Sequence, residues 1–148
     1  MNKNPYNLLL ADDDPDDCMF FREALDELPV RVHLTTVNDG VELMRCLNSS
    51  LELLPDLIFL DLNMPRKTGL ECLLEIKENR LLNQLPIVIF STSMDLEIVK
   101  LMYEKGAYCY IRKPGEFSQL KGAIHEALKM TTKKKRIKLE KEKFVIQV

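Results

Sequence analysis

Leu57-Ile58-Phe59-Leu60-Asp61-Leu62-Asn63-Met64-Pro65-Arg66-Lys67-Thr68-Gly69 is the stretch on which the reading of this chain turns. Four apolar residues without a polar interruption suit a strand covered on both faces, as in a parallel sheet flanked by helices. The run ends in a carboxylate, followed by a Met-Pro turn. Working outward, strand-like runs recur at Asn7–Ala11, Arg31–Val37, Leu57–Leu60, Ile87–Ser91 and Tyr108–Arg112. Amphipathic segments of helical length alternate with them. The first opens with Asp14 as N-cap and Pro15 at the first helical position, and Cys18, Phe21, Leu25 and Leu28 form one apolar seam. The others run over Val41–Leu47, Leu70–Arg80, Asp95–Lys105, with Gly106 as its stop, and Glu116–Lys129. Five β-α units predict an α/β fold of flavodoxin-like (βα)5 type, a doubly wound parallel sheet of strand order 2-1-3-4-5.

In that topology ligands bind beyond the carboxyl ends of the strands. Strand 1 runs into Asp12-Asp13, strand 3 into Asp61, strand 4 into Ser91-Thr92 and strand 5 into Lys113-Pro114. Three carboxylates, a hydroxyl and an ammonium thus converge on one edge of the sheet. Carboxylates so close cannot all stay ionised without a cation, and an all-oxygen set that leaves room for water and phosphate suits Mg²⁺. Within Asp12-Asp13-Asp14-Pro15-Asp16-Asp17, the cap and the helix dipole account for Asp14, Asp16 and Asp17. They leave Asp12 and Asp13 to be explained by the site. Glycine-rich phosphate loops are missing from the sequence, so a nucleotide is not the expected ligand.

This constellation resembles the receiver domains of two-component response regulators. The spacings of 30 residues from Asp61 to Ser91 and 22 from Ser91 to Lys113 match the single-domain chemotaxis regulators. The Asp61-to-Gly69 phrase, with Asp-Pro-Asp-Asp after strand 1, is similar to the stand-alone regulators paired with bacterial phytochromes. The resemblance implies a receiver domain over residues 6–129 and a basic extension over 130–148. It implies that Asp61 accepts a phosphoryl group from a sensor histidine kinase or phosphotransfer protein. Mg²⁺ would be held by Asp13 and Asp61, by the backbone carbonyl of Asn63, and by Asp12 through water. Lys113 would contact the phosphate, and the Lys113–Pro114 bond would be cis. As the switch, Ser91 would move toward the phosphate and Tyr110 would swing inward behind it, carrying the signal to the face of helix 4, strand 5 and helix 5, where a downstream protein binds. Such a protein catalyses its own phosphorylation and dephosphorylation and turns over no separate substrate. One departure from the family pattern is Thr92, where a small residue is usual. Its β-branched side chain is expected to shield the acyl-phosphate from water and prolong its life. Arg112, before Lys113, has no consequence derivable from the sequence.

Two other functions fit the topology less well. A haloacid-dehalogenase-type Mg²⁺-dependent phosphatase also uses Asp, Ser or Thr and Lys at strand ends. It would carry a D-x-D motif at strand 1, where this chain has adjacent aspartates, and it would need a cap segment. A flavin-binding domain would have its phosphate repelled by the carboxylates.

Composition bounds the rest. The chain has 148 residues, 46% apolar and 30% charged, which is enough for one packed domain. Its longest apolar runs are far short of a membrane span and its N-terminus lacks a signal-like stretch, so a cytoplasmic protein is expected. Cys18, Cys46, Cys72 and Cys109 are widely spaced, which favours buried free thiols over a zinc site. The net charge of −2 conceals an acidic body and a basic tail: residues 129–148 hold eight Lys+Arg against two Asp+Glu. The simplest reading of the tail is a solvated, fraying helix extension. The rival reading has Lys133–Arg136 meet an acidic partner while Phe144, Ile146 and Val148 add an edge strand or dock on a neighbour, as in a homodimer. Without a recognition helix or interleaved aromatics, nucleic acid is not an expected partner, and neither is a membrane.

Overall fold

The computed structural model describes residues 5–49, 53–132 and 138–146. Five strands, β1 (Tyr6–Ala11), β2 (Val32–Val37), β3 (Leu57–Leu60), β4 (Ile87–Ser91) and β5 (Cys109–Arg112), form one parallel sheet of order β2-β1-β3-β4-β5. The helices are α1 (Pro15–Asp26), α2 (Gly40–Ser49), α3 (Gly69–Glu78), α4 (Leu96–Glu104) and α5 (Phe117–Thr131). This is the expected doubly wound fold, with small shifts at element ends. None exceeds two residues; α3 stops at Glu78 instead of Arg80 because Asn79 turns extended and its N–H folds back to the Ile76 carbonyl. Gly106 does end α4, with a left-handed φ of 96°.

Alternation along the strands divides the interior in two. Leu9, Ile58, Leu60, Ile87 and Ile89 face α2, α3 and α4. Leu8, Leu10, Phe59, Val88 and Phe90 face α1 and α5, where Phe21, Phe59 and Phe90 pack edge to face with centroids 4.9 to 5.9 Å apart. Each fully buried aliphatic or aromatic side chain here contributes roughly 1.5–3 kcal/mol, so the sheet is a rigid platform for whatever its edge carries. Cys72 and Cys109 are buried free thiols as expected, and Cys18 and Cys46 are free but only half-buried. Among the described residues no helix is long and apolar enough to cross a membrane.

The solvated helix extension does not describe residues 138–146. After one 3-10 turn at Lys141–Lys143, Phe144 and Ile146 are buried and Val145 bridges Tyr110 in parallel register at the open edge of β5. The unsatisfied backbone groups of an edge strand and two large apolar side chains together explain why this piece does not stay in water. The basic run Lys133–Arg136 and Val148 lie outside the described residues.

Candidate functional site

The parallel ladders continue one step past the strands and thereby build the site. Asp12 N–H donates to the Val37 carbonyl at 3.0 Å, Asp61 N–H to Ala11 O at 2.9 Å and Lys113 N–H to Ser91 O at 2.8 Å. These bonds put Asp12, Asp61 and Lys113 side by side at the carboxyl edge. One carboxylate oxygen from each of Asp12, Asp13 and Asp61 falls within 4.8 Å of the others. Asp12 is fully buried, Asp61 nearly so, and Asp13 is exposed. Asn63 lies two residues beyond Asp61, and its N–H donates to Asp61 Oδ1 at 3.4 Å.

Lys113 Nζ sits among the carboxylates, 2.8 Å from Asp12 Oδ2, 2.9 Å from Asp17 Oδ2 and 3.4 Å from Asp61 Oδ2. Burial pushes the Asp61 carboxyl up to about 6, held back by the Lys113 charge and raised further by Asp12. Asp12 is also raised, again chiefly by burial, with Lys113 pulling the other way. Burial alone would lower Lys113, but its bonds to Asp12 and Asp17 outweigh that and hold it above the usual lysine range. Asp12 Oδ2 is buried, with the Lys113 ammonium 2.8 Å away as its ion-pair partner. Two raised carboxyls and a third exposed one, with a single ammonium among them, form an all-oxygen donor set short of positive charge. Such a set fits a hard divalent cation.

Asp17 is a member of this cluster that sequence reasoning missed. Its place in the first turn of α1 is explained by the dipole, but its side chain also reaches Lys113 across a cleft of about 410 Å³ between α1 and the start of α5. No sequence signal distinguishes it from Asp16, because the difference is which way each points from the helix. Asp17 competes for the ammonium that would otherwise settle on Asp61. Asp17→Asn is therefore expected to speed phosphorylation by a small-molecule donor about two- to fivefold, the worth of a half-solvated ion pair of about 0.5–1 kcal/mol, with little loss of stability. Initial rates with acetyl phosphate check this, and a slower variant would show that Asp17 instead aims Lys113 productively.

The loop after Asp61 is held by close backbone approaches. A Cβ on Gly69 would lie 2.2 Å from the Asp61 carbonyl oxygen, and one on Gly40 would lie 2.2 Å from the Lys67 carbonyl oxygen. Only glycine permits α3 and α2 to seat this loop so tightly. Arg66, in a left-handed conformation with φ 69°, pairs with Asp39 at 3.2 Å, and Thr68 and Glu71 form a capping box for α3.

Ser91 is fully buried, its Oγ accepting from Ser93 N–H at 3.2 Å, while Thr92 is exposed beside it. Tyr110 is also fully buried, and its hydroxyl donates to the Ser93 carbonyl at 2.7 Å. The tyrosine is thus already inward. The Lys113–Pro114 peptide corrects the expectation of a cis bond, since no peptide among the described residues is cis. Lys113 meets its three carboxylates from the trans form, which is the lower in energy for X–Pro bonds by about 0.5–1 kcal/mol.

Comparison with known proteins agrees with this fold. A family model described as the response regulator receiver domain matches residues 8–125. The chain is 34% identical over 120 residues to response regulator Rcp1 of a Synechocystis strain, covering 78% of this chain and 82% of that protein. Other curated relatives are longer, and the chain spans 54% and 56% of two of them. Among solved structures it is similar to the phosphorylated cyanobacterial phytochrome response regulator RcpA, at 34% identity and a TM-score of 0.79, covering 86% of this chain and 94% of that one. It is equally similar in fold to the Mn²⁺-bound form of Rcp1, at 29% identity and a TM-score of 0.79, covering 90% and 99%.

Proposed function

The chain belongs to the response-regulator receiver family, and from that premise we propose that Asp61 accepts a phosphoryl group from the phosphohistidine of a sensor kinase or phosphotransfer protein. The observation that carries the proposal is the convergence of Asp12, Asp13 and Asp61 oxygens within 4.8 Å beside a buried lysine. An Asp61 carboxylate oxygen attacks phosphorus, the P–N bond breaks, and its electron pair leaves with the imidazole. Lys113 contacts the transferred group and offsets its charge once Asp61 carries it. Mg²⁺, held by Asp13 and Asp61, the Asn63 carbonyl and, through water, Asp12, supplies neutralisation of the phosphoryl oxygens when bound. A metal-bound relative, the Mn²⁺ form of Rcp1, supports a divalent ion in such a site.

The receiver unit in this reading is residues 6–129, with 130–148 as its basic extension, and the protein works in the cytoplasm. Ser91 and Tyr110 report the modification to the α4–β5–α5 face, which binds a downstream protein. Thr92, exposed beside Ser91, is placed to slow water attack on the acyl-phosphate. The test is to incubate the protein with acetyl phosphate, with and without Mg²⁺, and with Asp61→Asn. A mass gain of one phosphoryl group that needs both Mg²⁺ and Asp61 is the expected result, with faster decay in Thr92→Ala. Labelling that survives Asp61→Asn, or multiple-turnover hydrolysis of phosphate esters, would sink the proposal.

A further inference from the structure

The C-terminal segment does more than cover an edge. Phe144 is 1% exposed and enters the core on the α4 side, edge-on to Tyr103 at 5.2 Å and 6.4 Å from the Tyr110 ring. Ile146, 8% exposed, packs with the α1–α5 side, so the segment straddles the edge of β5. Two backbone bonds fix its register on one residue: Tyr110 N–H donates to Phe144 O at 3.0 Å, and Ile146 N–H donates to Tyr110 O at 2.9 Å. Upstream, the Tyr103 hydroxyl donates to Leu139 O at 3.1 Å, and Lys138 Nζ lies 4.8 Å above the Tyr103 ring. The residue that receives both backbone bonds is the expected switch tyrosine.

From Tyr110 the contacts run on to the reaction centre. Its hydroxyl donates to Ser93 O, and the N–H of Ser93 donates to Ser91 Oγ. Ser91 O in turn accepts the Lys113 N–H. A hydrogen-bonded path therefore joins the docked tail, through Tyr110, to the residues around Asp61.

We infer that residues 138–146 are a built-in ligand of the Tyr110 switch: docked on β5 they hold Tyr110 inward and raise the affinity of the Asp61 site for a phosphoryl group. The sign follows from the expectation that Tyr110 turns inward on phosphorylation, since the docked tail and the inward tyrosine occur together here. The inference rests on the receiver reading above. By reciprocity, phosphorylation tightens the tail on β5 by the same factor. The surface offered to a partner after phosphorylation then includes the tail itself instead of a bare β5 edge.

Full-length protein, with beryllofluoride and Mg²⁺ as the phosphoryl mimic, decides the matter. Phe144→Ala removes the aromatic anchor, and Ile146→Pro removes the N–H that Tyr110 O accepts together with the Ile146 packing. Each is expected to weaken beryllofluoride binding about fivefold or more, within the usual range of coupling between sites. In a Tyr110→Phe background, which keeps the packing but cuts the bond to Ser93, neither tail change should weaken binding further. Hydrogen exchange at the Ile146 amide should slow by a matching factor when beryllofluoride is added. Should Phe144→Ala fail to fold, Ile146→Pro carries the test. Binding within twofold of the parent in the folded variants, tighter binding, or full additivity with Tyr110→Phe overturns the inference while leaving the receiver reading intact. A parent protein that neither binds beryllofluoride nor takes up phosphate overturns both.

Discussion

Lys113→Met is expected to make the stability of this protein depend on divalent metal. The lysine ammonium is the cation facing Asp12, whose side chain is fully buried, and Asp61, whose side chain is 7% exposed. Methionine keeps most of the side-chain volume and removes the charge, so the cost is electrostatic and not a cavity. Leaving a buried carboxylate without its partner costs about 3–5 kcal/mol when the group cannot neutralise itself. Two escapes exist here: the carboxyls can take up protons, or a divalent ion can replace the missing charge. At pH 7 without metal, the denaturant midpoint should drop by the equivalent of about 3 kcal/mol, and excess Mg²⁺ should restore most of it. Phosphorylation should still fall about a hundredfold with Mg²⁺ present, the usual effect of deleting one charged contact to a group in transfer. A variant equally destabilised with and without Mg²⁺ would show that Lys113 is a packing residue and that the carboxylates bind no ion.

That argument uses residues whose convergence was readable from the chain itself. Asp12, Asp61 and Ser91 each end or follow a continuous apolar run, Lys113 follows Cys109–Ile111 after one intervening residue, and parallel topology brings the carboxyl ends of such runs together. Local periodicity therefore implied a tertiary site. Asp17 could not be read the same way, because its position in a first helical turn already had a sufficient local explanation. Only the packing of α1 against α5, beside the end of β5 that carries Lys113, reveals that its carboxylate meets the ammonium. The tail resisted for a related reason. A basic run followed by alternating apolar residues fits both a fraying helix and an edge strand, and the choice depends on whether an open edge with an apolar margin lies within reach. The β5 edge, flanked by Tyr103 and Tyr110, provides one. Expected to begin at Leu70, α3 is opened by a capping box of Thr68 and Glu71 that the sequence reading did not pick out. The box starts α3 at Gly69, where absence of a Cβ lets the helix sit against the Asp61 carbonyl.

The metal-free protein should lose stability as pH rises from about 4 to 6.5, against the usual trend for acidic proteins. Asp61 has a folded value of about 6 against an ordinary 3.8, so in that window the folded chain holds a proton that the unfolded chain has released. The stability this contributes is complete below the unfolded value and is lost as pH rises through the folded one. A difference of about two units corresponds to roughly 3 kcal/mol for a group this buried. Asp12 is shifted in the same direction and adds to the slope. Lys113, held above the lysine range, keeps its contribution throughout and loses it only in strong alkali. Asp39 and Glu71 are lowered by backbone hydrogen bonds and have the opposite sign, but their windows lie below their ordinary values of 3.8 and 4.5, at the acid end of this range. With Mg²⁺ the slope should invert, because the ion binds the ionised carboxylates and its affinity rises as they deprotonate. Chemical denaturation at half-unit pH steps, in chelator and in Mg²⁺, measures both curves, and Asp61→Asn should flatten the first. A chelator curve that stays level or climbs across this window would mean that Asp61 is ionised in the free protein. Its nucleophile would then stand ready without metal, and Mg²⁺ would serve only the charge of the incoming phosphoryl group.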